Sequence, residues 1–245
     1  MKIKLINPNT SRAMTEAIGQ AGRQVAAAGT TIIAANPAIG PASIESHYDE
    51  ALACVGLLDE IRSGEAEGCD AYVIACFGDP GLLAARELAR GPVLGIVEAA
   101  MHAATWVATG FSVVTTLQRT CVIAEHLVDR YGMRGHCRRV RGTDIAVLAL
   151  EEPGSAAYER ILAECRAALD EDGSGAIVLG CAGMTSLCDR LSQTLGVPVI
   201  DGVGVAVKLA EALLATGLRT SKRGDLATPV FKPYSGELRR FELPR

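Results

Sequence analysis

Residues 72–96 read YVIACFGDPGLLAARELARGPVLGI, and residues 176–202 read AIVLGCAGMTSLCDRLSQTLGVPVIDG. Each stretch is an apolar run ending in Cys, then one residue and a Gly, then an amphipathic helical stretch, then a second apolar run opened by Pro. Internal repeats come before motifs in any reading, because a duplicated supersecondary unit sets the whole architecture. The likeness extends upstream: Asn9 in KIKLINPNTS stands about 67 residues before Cys76, and Thr116 in FSVVTTLQRT about 65 before Cys181. Two similar halves are implied.

Outward from the repeat, short β-branched runs alternate with Ala/Leu/Glu/Arg-rich helical stretches, the pattern of βαβ units building a mostly parallel sheet. The reading predicts strands over 2–6, 31–35, 71–76, 92–97, 111–116, 138–147, 176–181 and 197–200. It predicts helices over 11–27, 48–64, 80–90, 98–109, 118–131, 156–171, 184–195 and 204–216. Several strands are almost continuously apolar, as strands covered on both faces are. The fold class expected is α/β, with two pseudo-symmetric lobes, each a mostly parallel sheet flanked by helices. Residues 1–97 plus 208–245 would form the first lobe and 98–207 the second. Open α/β sheets bind ligands beyond the C-terminal ends of their strands, so a cleft between the lobes is the expected site. No Gly/Pro/Ser-rich linker separates the halves, which implies close packing. The tail 220–245 has little periodicity and is left without a structural assignment.

Composition narrows the function. A chain of 245 residues, 49% of them hydrophobic, can bury a substantial core. The net charge of −4 is spread along the chain without a basic block, which argues against nucleic acid. No apolar run approaches a membrane span, and the opening MKIKLINPN enters a β-like run without a leader's apolar segment, so a cytoplasmic protein is expected. Eight scattered cysteines in a chain of this size read as reduced thiols, and neither they nor the four histidines show metal-ligand spacing. No metal is expected. Ala/Leu-rich helices leave room for subunit contacts, so a homo-oligomer is expected.

Cys76 and Cys181 occupy equivalent positions, each at the end of a buried strand and just before a Gly-containing turn into a helix. Unpaired amides and the macrodipole at a helix N-terminus favour an anion, which would make a thiolate base accessible near neutral pH. Gly78 and Gly183 would let a substrate approach the backbone, and their amides are candidate oxyanion donors. Two such cysteines from matched halves suggest two-base racemisation: one takes a proton from one face of a carbon acid and the other returns a proton to the opposite face. Free cysteine is otherwise a small, buried apolar residue, the reading kept for Cys54, Cys69, Cys121, Cys137, Cys165 and Cys188. A redox disulfide between Cys76 and Cys181 is a third reading, and it would need their Cα atoms within about 7 Å.

Three further stretches carry polar side chains to the expected cleft. INPNTS, residues 6–11, reads both as a helix cap and as a substrate contact through Asn9. VTT, residues 114–116, is its counterpart, offering the hydroxyls of Thr115 and Thr116. PASIESHYDEA, residues 41–51, mixes Ser43, Glu45, His47, Tyr48 and Asp49; His47, without a partner at useful spacing, reads as a surface histidine. Asp79 and Glu98 read equally as modulators of the site and as solvated or capping residues.

These motifs, with IACFGDPGLLAARE, GPVLGI, VTTL, VLALEE, AIVLGCAGM and VPVIDGV, resemble the hydantoin racemase family of the aspartate/glutamate racemase superfamily, which also contains allantoin racemases. The resemblance runs from about residue 1 to about 230. It implies a two-lobed fold, activity without pyridoxal phosphate or metal, and paired cysteines as acid and base, here Cys76 and Cys181. It also implies a substrate shell of Asn9, Ser43, Gly78, Thr115, Thr116 and Gly183. The substrate class implied is a 5-monosubstituted hydantoin, whose C5–H lies beside a ring carbonyl and yields an enolate that fixed amides can stabilise. Allantoin, a 5-ureidohydantoin, is the alternative.

Two other readings stay open. A small-diacid isomerase or decarboxylase would need cationic side chains at the site, yet Arg86 and Arg190 are the nearest in sequence and read as solvated helical residues. A non-catalytic ligand-binding protein of the same fold would not need matched thiols.

Overall fold

A computed structural model describes residues 1–151 and 157–243. The first sheet contains β1 (Lys2–Ile6), β2 (Thr31–Ala35), β3 (Ala71–Ile74) and β4 (Val93–Gly95), in the order β2-β1-β3-β4. The second contains β5 (Phe111–Thr115), β6 (Cys137–Gly142), β7 (Ala176–Gly180) and β8 (Val199–Ile200), in the order β6-β5-β7-β8. All the pairings are parallel, and the two halves have one strand order.

Parallel neighbours need crossovers. They are supplied by α1 (Arg12–Val25), α2 (His47–Ala66) and α3 (Leu82–Leu88) in the first half. In the second, α5 (Cys121–Arg130), α6 (Ala157–Asp172) and α7 (Cys188–Leu195) do the same. Successive strand residues point to opposite faces, so Ile3, Leu5, Ala71 and Val73 enter one cluster while Ile6, Tyr72 and Ile74 enter another. Burial on both faces is the reason these strands lack polar alternation.

Two helices join the halves. α4 (Ile96–Val107) gives Ile96 and Ala99 to the first half's cluster and Val97, Ala100, Met101 and Ala104 to the second half's. α8 (Gly202–Ala215) packs Val203, Ala206, Val207 and Ala210 against the first sheet. The 207/208 division drawn from the sequence falls inside this helix.

The structure shortens several predicted elements. The strand expected over 138–147 ends at Gly142, because Asp144 adopts φ +54° and turns the chain into a 3-10 stretch, Val147–Glu151. The strand expected to reach Cys76 ends at Ile74, and Cys76 lies in the following turn. The helix expected over 184–195 is a 3-10 run, Ala182–Leu187, followed by α7. Likewise, a 3-10 turn, Gln118–Thr120, precedes α5. Glu152 of the VLALEE motif and Ala156 of the 156–171 helix lie outside the described residues.

The tail, described to residue 243, runs over α2 and α3 with two 3-10 turns, Gly224–Leu226 and Gly236–Phe241. Lys222 Nζ bonds the Glu87 carbonyl at 2.9 Å, and Arg240 pairs with Asp59 at 2.7 Å. Among the described residues no helix is long and apolar enough to cross a membrane.

Candidate active site

Facing strand ends leave a cleft between the halves, with about 600 Å³ of empty space continuous with solvent. The first half contributes the segment after β1. There Asn7 Nδ2 donates to Asn9 Oδ1 at 2.7 Å, and the Ser11 amide donates to the same oxygen at 2.9 Å. Ser11 in turn caps α1, accepting from the Met14 amide at 3.1 Å. These bonds hold the Asn9 side chain fixed in the cleft wall, with its Nδ2 directed at Met14 Sδ, a weak acceptor, at 3.3 Å. Asn9 is thereby both part of the turn and a donor facing the cleft.

The turn after β3 carries Cys76, Phe77 and Gly78, all lining the cleft. It closes through an Asp79 amide bond to the Cys76 carbonyl at 3.1 Å. Asp79 is buried with φ +44°, a conformation uncommon for a residue with a side chain. Its carboxylate explains the geometry: it caps α4, accepting from the Val97 and Glu98 amides at 3.1 and 3.0 Å, and from the Tyr131 hydroxyl at 2.7 Å. Burial lifts this carboxyl to about 6, with the three hydrogen bonds pulling the other way.

The second half presents Thr115, Thr116, Gly180 and Cys181. Thr115 and Gly180 are register partners across β5 and β7, and the Thr115 hydroxyl donates to the Gly180 carbonyl at 2.8 Å. A Cβ on Gly180 would stand 2.4 Å from Thr115 Cβ, so the strands close here only around a glycine. Cys181 follows as the residue preceding the 3-10 run, Ala182–Leu187.

The electrostatics of Cys76 differ from the sequence expectation. α3 does not start until Leu82, beyond a left-handed Gly81, so the helix that follows does not begin directly after this sulfur as the sequence reading expects. Its thiol is pushed well above the ordinary value, chiefly by burial, then by Cys181, Asp79 and Glu50. The Gly78 amide bonds the sulfur and opposes the rise. A negative charge on one sulfur disfavours charge on the other, so one thiol with one thiolate is preferred over two thiolates.

Of the expected shell, Asn9, Gly78, Thr115 and Thr116 line the cleft beside the two cysteines. Ser43 does not: from its loop it is Ile44 that enters the wall, while Glu45 Oε1 reaches across to the Val147 amide at 2.8 Å. Gly183 sits behind Cys181, where a Cβ would be 3.6 Å from the sulfur. Ser46 caps α2, its hydroxyl accepting from the Asp49 amide at 3.1 Å and donating to Asp49 Oδ2 at 2.7 Å. His47 is exposed and stacks on His126 of the other half, with ring centroids 6.3 Å apart. Arg86 is tied to Glu98 at 2.5 Å and Arg190 lies 3.6 Å over the Tyr158 ring, so neither lines the cleft.

Sequence reasoning did not single out Asn7, Met14, Glu50, Phe77 or Ile123, which also line it. Asn7 was within reach, since it belongs to the same Asn-Pro-Asn turn as Asn9, and Glu50 lies within the PASIESHYDEA stretch; nothing local marks Ile123, which comes from a helix face. Among the described residues, no group of three His, Cys, Asp or Glu side chains is arranged to hold a metal ion.

Comparison with known proteins agrees with this architecture. A family profile described as Asp/Glu/Hydantoin racemase matches residues 3–210. A hydantoin racemase from Rhizobium meliloti is 54% identical over 236 residues, 96% of this chain and 98% of that protein. A hydantoin racemase from Pseudomonas sp. (strain NS671) is 48% identical, covering 98% of this chain and 97% of its own. The solved allantoin racemase from Klebsiella pneumoniae superposes with a TM-score of 0.97 at 58% identity, covering 99% of each chain.

Proposed function

The chain belongs to the Asp/Glu/Hydantoin racemase family, and from that premise we propose that it is an isomerase that racemises 5-monosubstituted hydantoins, with Cys76 and Cys181 as the acid–base pair. The observation that carries this reading is that two thiols from equivalent strand–turn units line one cleft and feel each other's charge. In the reaction, one sulfur as thiolate removes the C5 proton while the other, as thiol, delivers its own proton to the opposite face. The electron pair left at C5 is held as an enolate on the adjacent ring carbonyl, so no electron sink beyond the substrate is needed. Asn9 Nδ2 and the Thr116 hydroxyl, both at the cleft wall, are the donors assigned to that oxygen; stabilising the flat enolate more than the tetrahedral ground state supplies the acceleration.

A second reading, allantoin as substrate, is favoured by the 58% identity to an allantoin racemase. Eight unbridged cysteines suit a reducing, cytoplasmic setting, and the exposed Trp106, Val107 and Val230 suit a homo-oligomer.

The deciding experiment incubates enantiopure allantoin, 5-benzylhydantoin and 5-(2-methylthioethyl)hydantoin in deuterium oxide with wild type, Cys76→Ser and Cys181→Ser. Optical rotation reports racemisation and NMR reports exchange at C5. Wild type is expected to racemise at least one compound, and each variant to lose racemisation while exchanging at most one enantiomer. Undiminished racemisation by either variant contradicts the two-base assignment, and failure on all three compounds contradicts the substrate class.

A further inference from the structure

Apart from the cysteine that acts as thiolate, Glu50 is the one described residue lining the cleft that bears a formal charge. It rises from the first turn of α2, and its Oε1 lies 3.8 Å from where a Cβ on Gly78 would stand. The carboxylate is therefore set against the Cys76–Gly78 turn. Ile123 Cγ2, from α5 of the other half, is 3.9 Å from the same point, so the group stands where the two halves meet across the cleft. Beyond the two cysteines, the rest of the described wall is apolar or neutral, made of asparagines, threonines, Met14, Phe77 and Val147 among others. Among the described lining residues there is no lysine or arginine to offset the charge. His47, 3.7 Å from Glu50, is on the solvent side with a mostly exposed side chain, and Arg130, which also acts on this carboxylate, is exposed.

From this placement, and resting on the racemase reading above, we infer that Glu50 selects the 5-substituent by charge. Neutral groups, groups with N–H donors and cationic groups are admitted; carboxylate-bearing groups are turned away. A carboxylate in a half-buried wall, with His47 and Arg130 on its solvent side, acts on a second charge several ångströms into the cleft through a medium less polar than water, where like charges repel by enough to cost about tenfold or more in affinity. An N–H donor meets an acceptor there instead, and specificity arises as much from the repelled class as from the accepted one. Partial burial raises the Glu50 carboxyl above its ordinary value while His47 and Arg130 draw it back.

The test compares three hydantoins at pH 8: 5-benzyl (neutral), 5-(2-carboxyethyl) (anionic) and 5-(4-aminobutyl) (cationic). Each is measured with wild type, Glu50→Gln and Glu50→Lys, both as kcat/KM for racemisation and as Kd by calorimetry. The quantities read are the anionic-to-neutral and cationic-to-neutral ratios, which cancel any general loss in a variant. Glu50→Gln is expected to raise the anionic-to-neutral ratio about tenfold and lower the cationic-to-neutral ratio, with Glu50→Lys extending both changes. Ratios that stay the same across the three proteins overturn the inference. If no compound is racemised by wild type, the racemase reading fails, and the Kd ratios still decide whether Glu50 sorts ligands by charge.

Discussion

The Tyr131 hydroxyl, at the end of α5 in the second half, donates a 2.7 Å hydrogen bond to Oδ2 of Asp79, three residues beyond Cys76 in the first. The same carboxylate caps α4, the helix shared by both cores. One buried side chain thus ties the turn carrying Cys76 to both halves.

Removing the donor tests that tie. Tyr131→Phe deletes one of three bonds to a buried carboxylate and is expected to cost about 1.5–3 kcal/mol of stability at pH 8, where Asp79 is ionised. At pH 5, where the carboxyl is largely protonated, the loss should be smaller. Urea unfolding at the two pH values measures both, and an equal loss would show that Tyr131 does not serve the charge.

Asp79 itself links stability to pH. Its folded value of about 6 lies above the ordinary 3.8, so the folded chain holds a proton that the unfolded chain releases. The contribution is therefore fully present below about pH 4 and is lost as pH rises through about 6. Against Asp79→Asn, wild-type stability is expected to decline by on the order of 3 kcal/mol between pH 4 and pH 7. Denaturant titrations across that window would show it as a difference in slope, absent if Asp79 ionises normally.

Gly95 matches Asp201 in the repeat, since Pro92-Val93-Leu94-Gly95 aligns with Pro198-Val199-Ile200-Asp201. In the second half Asp201 caps α8 and accepts from the Thr185 hydroxyl at 2.7 Å. The first half reverses the supply: the Cys76 turn brings the carboxylate, and a Cβ on Gly95 would lie 2.2 Å from Asp79 Cγ. Gly95→Ala is expected to destabilise by at least about 2 kcal/mol, and by less than half as much in an Asp79→Ala background. Additive losses in the double-mutant cycle would refute the coupling.

Gly180→Ala forces β5 and β7 apart beside Cys181. We expect about 1–3 kcal/mol of lost stability. On the proposed two-base mechanism racemisation should fall about a hundredfold, because displacing one sulfur by about an ångström spoils a geometry that needs two. Activity within a factor of about three of wild type would indicate that the strands absorb the methyl group without moving the cysteine.

The elevated Cys76 thiol predicts a pH–rate profile. On the proposed mechanism, for the enantiomer whose proton Cys76 would remove, kcat/KM reports the free protein's thiol and should still be rising beyond pH 9, the ordinary thiol value. Stopped polarimetry on each enantiomer from pH 7 to pH 10 would reveal a plateau below pH 8 if burial does not govern the base.

The α/β class, the duplication, the eight strands and the pairing of Cys76 with Cys181 in one cleft were all legible along the chain. They are written in short-range periodicity and in a repeat, and covered parallel strands have no other way to bury themselves. Ends of elements were less legible, because a left-handed Asp144 or a turn at Cys76 interrupts an apolar run without changing its composition. Three features were decided only in the folded chain: that Ile44 rather than Ser43 enters the wall, that Glu50 stands over Gly78, and that Asp79 meets Tyr131, 52 residues away in sequence. Each depends on where a side chain points after two halves dock, and that direction is set by contacts between residues far apart in the chain, to which local pattern is blind.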